Sequence, residues 1–145
     1  MTAALAVPGC TLSWSLTDLT PPWATAPETI VMHHGIGASR DIFAGWLPAL
    51  VHTHRILRFD MRGHGASGRP DPAIRIDLDR LTDDMFAVMD AVGVERAHLL
   101  GESIGGTIAL HAALRAPGRV LTLTVSNGAH LGASIRSVAG WRQMI

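Results

Sequence analysis

Gly101-Glu102-Ser103-Ile104-Gly105 brings together residue types that could carry out acyl transfer. The run from Arg96 to Leu100 ahead of it reads as an apolar strand, and the residues after it read as a helix. A Gly-x-Ser-x-Gly turn between a strand and a helix is so tight that the serine takes a strained backbone conformation. Any side chain at Gly101 or Gly105 would collide with the neighbouring strand and helix. The turn lifts the Ser103 hydroxyl clear of the sheet, where a base could take its proton and the oxygen could attack a carbonyl carbon. This motif calls for an acid and then a histidine later in the chain. No acid followed by a histidine occurs between Ser103 and Ile145, so the expected site is half present.

The elements that must position Ser103 alternate as strand and helix from about residue 29 onward, a pattern that predicts a mostly parallel sheet with helices on both faces. Ahead of it, residues 4–7 and 11–16 flank Pro8-Gly9 and predict a hairpin. Thr29-Ile30-Val31-Met32-His33 is apolar and β-branched enough to be a strand buried on both faces. It leads into the loop His34-Gly35-Ile36-Gly37. Ser39 can cap a short helix bearing Ile42, Phe43 and Trp46, with Pro48 starting a second turn. Residues 55–60 predict the next strand, followed by a loop rich in glycine at Gly63, Gly65 and Gly68. Leu78, Leu81, Met85, Val88, Met89 and Val92 share one helical face, with Asp79, Asp83, Asp84 and Asp90 placed off it and Gly93 as the stop. The helix after Ser103 is ended by Pro117. Residues 120–125 form the last strand, and another helix begins near Ala139.

Three motifs in order, His34-Gly35-Ile36-Gly37, Asp60-Met61-Arg62-Gly63-His64-Gly65-Ala66-Ser67 and Gly101-Glu102-Ser103-Ile104-Gly105, each stand at the C-terminal end of a strand. Together they resemble the α/β-hydrolase family, closest to its 3-oxoadipate enol-lactonase-like and small carboxylesterase members. The resemblance implies a three-layer α/β/α fold: a mostly parallel sheet with an N-terminal antiparallel hairpin, and with C-terminal strands and lid missing from this chain. Residues 1–138 would form the N-terminal part of the hydrolase core and residues 139–145 the start of a lid helix. It also implies that Ser103 is the nucleophile and that the backbone amides of Ile36 and Ile104 form the oxyanion hole. The substrate would be a small ester, an enol-lactone or a related carbonyl compound. The acid and histidine would come from the remaining C-terminal half of the hydrolase, as a separate chain or a cleavage product. On this reading the isolated chain is inactive and the last strand has an open edge. No cofactor is implied. Two other readings are a small-molecule receptor on the same scaffold and a non-catalytic module that recruits a protein by strand addition.

Each residue singled out also has an ordinary structural reading. Glu102 points away from the hydroxyl in such a turn, which removes it as the general base. His98 lies in a strand and His111 in a helix, as packed or surface side chains. His52 and His54 sit where a helix gives way to a strand, and His130, after the last strand, is only the least implausible of the histidines as a substitute for the missing base. His34, His64 and the pair Asp60 with Arg62 read as loop-bracing groups. The eight histidines match neither a zinc-protease helix nor a Cys/His finger, so their spacing predicts no metal site. Trp14, Trp23, Trp46 and Trp141 read as packing anchors.

With 145 residues, 48% of them hydrophobic, the chain can build a core. Twelve basic residues balance twelve acidic ones, which gives no overall field for nucleic acid or a membrane surface. A lone cysteine, Cys10, excludes an internal disulfide, and the start of the chain lacks the features of a secretion signal. A cytoplasmic location is therefore expected. No apolar run approaches the roughly 20 residues that cross a bilayer.

Overall fold

The computed structural model describes residues 1–128. Six strands form one sheet in the order β1-β2-β4-β3-β5-β6. The hairpin is present: β1 (Thr2–Val7) pairs antiparallel with β2 (Cys10–Thr17) in a register that sets Val7 opposite Cys10. Gly9 turns the chain at φ +68, a left-handed conformation that glycine adopts without strain. β2 then pairs antiparallel with β4 (Arg55–Phe59). β3 (Thr29–His33) lies parallel to β4 on one side and to β5 (Ala97–Glu102) on the other. β6 (Val120–Ser126) is parallel to β5.

Alternation along the central strands divides their side chains between two cores. Val31, Leu57, Phe59 and Leu99 enter the larger core with Met85, Val88, Met89, Ile108 and Ala112. These come from α2 (Leu78–Ala91) and α3 (Ile104–Arg115). Met32 and Ile56 enter the smaller core on the other face with Phe43 and Val51. That face is covered by a 3-10 helix over Arg40–Trp46 and by α1 (Leu47–Leu50). Ser39 caps the 3-10 helix by accepting a bond from the Asp41 amide, and Pro48 falls in the first turn of α1, as the sequence predicts. Helices thus lie on both faces of a mixed sheet.

Three expectations need correction. Asp84 does not lie on the outer face of α2: it is 3% exposed and faces Arg62. Arg62 consequently pairs with Asp84 rather than with Asp60. Trp14 is a buried anchor, but Trp23 is 81% exposed and Trp46 is half-exposed over Phe43. His130, Trp141 and the helix expected over residues 139–145 lie outside the described residues.

Candidate active site

Ser103 stands between β5 and α3 at φ 54, ψ −121, a region that non-glycine residues adopt only when their surroundings hold them there. The holding contacts are on both sides. The Ser103 amide donates to the Ser126 carbonyl of β6 at 2.8 Å, and the Ser103 carbonyl accepts from the Gly106 and Thr107 amides in the first turn of α3. A Cβ on Gly101 would strike the Gly105 carbonyl, and one on Gly105 would strike the carbonyls of His33 and His34. The elbow is therefore built as its spacing predicts, with the start of α3 pressed against the ends of β3 and β5.

The loop after β3 comes up to the same place. A Cβ on Gly35 would lie 2.9 Å from the Ser103 Cβ, so hydrogen at this position is what lets the loop reach the serine. Ser103 itself is partly exposed. Among the described residues, the amides of Ile36 and Ile104 have no hydrogen-bond acceptor, and no side chain hydrogen-bonds the Ser103 hydroxyl. Ile104 opens a helix of 12 residues, whose N-terminal amides and dipole favour negative charge.

Two histidines, His33 at the end of β3 and His34 at the start of this loop, work as neutral struts. His34 is fully buried, and its Nδ1 faces the Gly35 carbonyl at 2.7 Å while its Nε2 accepts from the Met61 amide at 2.9 Å. One ring nitrogen must therefore be protonated and the other bare, which fixes the tautomer. Burial pushes His34 below the ordinary 6.5, opposed by its bond to the Gly35 carbonyl and by the carboxylates of Asp60 and Glu102. His33, bonded through Nδ1 to the His34 carbonyl, is pushed by burial down to about 3. His34 therefore has no free ring nitrogen to act as a base for Ser103, and burial makes His33 too weak a base for that task. Glu102 sends its carboxylate against Gly35, not to the hydroxyl.

Asp60 braces the floor of the site. Its carboxylate accepts from the amides of Arg40 at 2.7 Å and Ala66 at 3.0 Å. Arg40 continues the network to the Ser13 hydroxyl, and the Ser67 hydroxyl joins the Asp60 carbonyl to the Ser13 amide. Beneath it Arg62 and Asp84 form two parallel bonds of 2.7 and 2.6 Å in the interior, and Arg62 also reaches the Pro8 carbonyl of the hairpin turn. Burial raises the Asp84 carboxyl above its ordinary value against the pull of Arg62. Arg40, Ser13 and Asp84 were not singled out from the sequence. Asp84 did carry a signal, because it lies three positions after Leu81 and four before Val88 and so falls on the edge of the buried face.

The serine elbow, the glycine loop beside it and the mixed sheet define an architecture shared with a large group of proteins. The chain matches the alpha/beta hydrolase fold family over residues 28–144 and belongs to it. Among individual relatives, it is 39% identical over 103 residues to a putative carbamate hydrolase, RutD, of Azorhizobium caulinodans, covering 71% of this chain and 38% of that protein. A crystal structure of a hydrolase from Pseudomonas aeruginosa superimposes with a TM-score of 0.81 at 35% identity, over 98% of this chain and 50% of the other. The enol-lactonase of Burkholderia xenovorans gives 0.70 at 30% identity, over 81% and 44%. The chain thus spans half or less of the length of these relatives.

Proposed function

We propose that the protein is a serine hydrolase acting on an ester, an enol-lactone or a related small carbonyl compound. The observation that carries this reading is the strained, partly exposed Ser103 at the head of α3 with the Gly35 loop packed against it, where among the described residues the Ser103 hydroxyl has no side-chain partner and the Ile36 and Ile104 amides have no acceptor. Ser103 is the nucleophile. Its oxygen attacks the carbonyl carbon, the carbonyl oxygen becomes an oxyanion, and the two amides with the N-terminus of α3 stabilise that charge. Loss of one such donor costs on the order of 3 kcal/mol in the transition state.

Proton transfer needs a histidine held by an acid. Both ring nitrogens of His34 are engaged by backbone groups, and His33, pushed by burial down to about 3, is too weak a base, so they do not supply it. We assign both groups to polypeptide corresponding to the second half of the relatives, in the same chain or in a separate one. Collapse of the oxyanion expels the alcohol or enolate protonated by that histidine, and water then releases the acyl group. The names of the relatives, a putative carbamate hydrolase and an enol-lactonase, support a small carbonyl substrate.

Ser103→Ala in the protein that includes the histidine and acid tests this reading. Hydrolysis of p-nitrophenyl acetate and of enol-lactones is expected to fall by roughly 10⁴-fold or more. Undiminished hydrolysis would remove Ser103 from the mechanism.

A further inference from the structure

At the end of the sheet away from Ser103, three metal-ligating side chains converge from separate segments. Glu28 immediately precedes β3, His54 immediately precedes β4, and His98 is the second residue of β5. The register brings them together: Arg55 donates its amide to the Glu28 carbonyl, and His98 lies beside Ile30 of β3. One donor atom from each side chain lies within 4.8 Å of the other two. His98 Nε2 is 3.0 Å from Glu28 Oε2, and the His54 and His98 rings meet edge to face at 5.5 Å.

We propose that Glu28, His54 and His98 form a binding site for a divalent transition ion of the zinc type, remote from the acyl-transfer site. Both rings are set up as ligands. Nδ1 of His98 is held by the Thr122 hydroxyl at 2.8 Å and Nδ1 of His54 by the Thr53 hydroxyl at 2.9 Å. Nε2 of His98 faces the Glu28 carboxylate, and a nitrogen of the His54 ring lies within 4.8 Å of the other two donor atoms. Such outer partners fix ring orientation and tautomer at metal sites. A register shift between Ala97 and His98 in the β5–β6 ladder pairs His98 with Thr122 after skipping Leu121, and shifts of this kind re-aim side chains. Glu28 is exposed, while the two histidines are half-buried.

The donor set selects the class of ion. Two imidazoles and one carboxylate suit zinc and its neighbours, whereas calcium and magnesium call for oxygen ligands. Tetrahedral bonds of about 2.0–2.2 Å set ligand atoms roughly 3.3 Å apart. The Glu28–His98 approach already meets that spacing, and the ion draws in the remaining donor atoms, which lie within 4.8 Å, through the exposed Glu28 side chain. A water completes the shell. Five residues of extended strand, roughly 16 Å, separate His98 from Ser103, so the ion takes no part in the hydrolysis. Its effect is to tie the starts of three strands together. The sequence could not show this, because the three ligands lie 26 and 44 positions apart.

The test is calorimetric titration of ZnCl2 into the intact, chelator-treated protein, with MgCl2 in parallel. One zinc per chain with Kd at or below about 10 µM and no magnesium binding is expected. Glu28→Gln, His54→Gln and His98→Gln should each weaken binding about 10-fold or more, and His52→Gln should leave it unchanged. Zinc should also raise the thermal midpoint of the parent and not of His98→Gln. Thr122→Val removes only the outer partner and should weaken binding while the fold, followed by circular dichroism, is retained. Absence of saturable zinc binding, or binding untouched by both His54→Gln and Glu28→Gln, would show an ordinary ion pair and overturn the proposal. Because the readout is metal affinity, the result is independent of the role of Ser103.

Discussion

At the scale of single residues, the buried Arg62–Asp84 pair is the interaction with most at stake. Arg62 has no exposed surface, and its guanidinium is matched by a carboxylate at two points and by the Pro8 carbonyl at a third. A buried charge left without its partner carries its full desolvation cost. Asp84→Ala should therefore destabilise the protein by about 3–5 kcal/mol, measured by urea unfolding of the intact protein. Replacing both partners by apolar residues of similar size should recover much of the loss. A loss within about 0.5 kcal/mol for Asp84→Ala would mean that water reaches Arg62 and that the pair is not structural.

At the scale of elements, the β5–α3 elbow shows which features a sequence exposes and which it hides. Gly101 and Gly105 are readable from spacing alone because backbone passes backbone there, and only hydrogen fits. Gly105→Ala should cost about 1–3 kcal/mol, since the added methyl meets the carbonyls of two residues that cannot retreat. Gly118→Ala, at a position with nothing within 4 Å, should stay within about 0.5 kcal/mol by the same unfolding measurement. Equal effects at the two sites would deny the close approach. The strands β3 and β4, the capped 3-10 helix and the stop at Gly93 are legible for the same reason: their signals are local in the chain. Contacts between distant segments are not. The sequence neighbours Asp60 and Arg62 suggest each other, yet both lie past the end of β4, where the turning chain sends them to different partners, Arg40 and Asp84. Trp23 shows the converse limit, since its size suggests burial while its loop leaves it in solvent.

At the scale of the whole molecule, two neutral histidines lie where the sheet meets its loops, and this makes the fold sensitive to acid. The unfolded chain takes up protons on these rings below about the ordinary 6.5, whereas folded His33 resists until about 3, and His34 is shifted in the same direction. Between those values the unfolded state binds more protons, so stability is fully present above pH 6.5 and is lost as the pH falls toward 3. His33 contributes up to roughly 1 kcal/mol per pH unit in that window, and His34 adds to it in the same sense. Asp84 works in the opposite sense, because its raised carboxyl binds a proton more readily folded than unfolded, but one carboxyl faces two imidazoles. Urea unfolding between pH 7 and pH 4 should accordingly show a falling midpoint. In His33→Asn, whose amide can still donate to the His34 carbonyl, the slope should become shallower whatever the absolute stability of the variant. An unchanged slope would mean that His33 takes up its proton alike in the folded and unfolded protein, against the desolvation that its burial at 1% exposure imposes and that its bond to the His34 carbonyl only partly offsets.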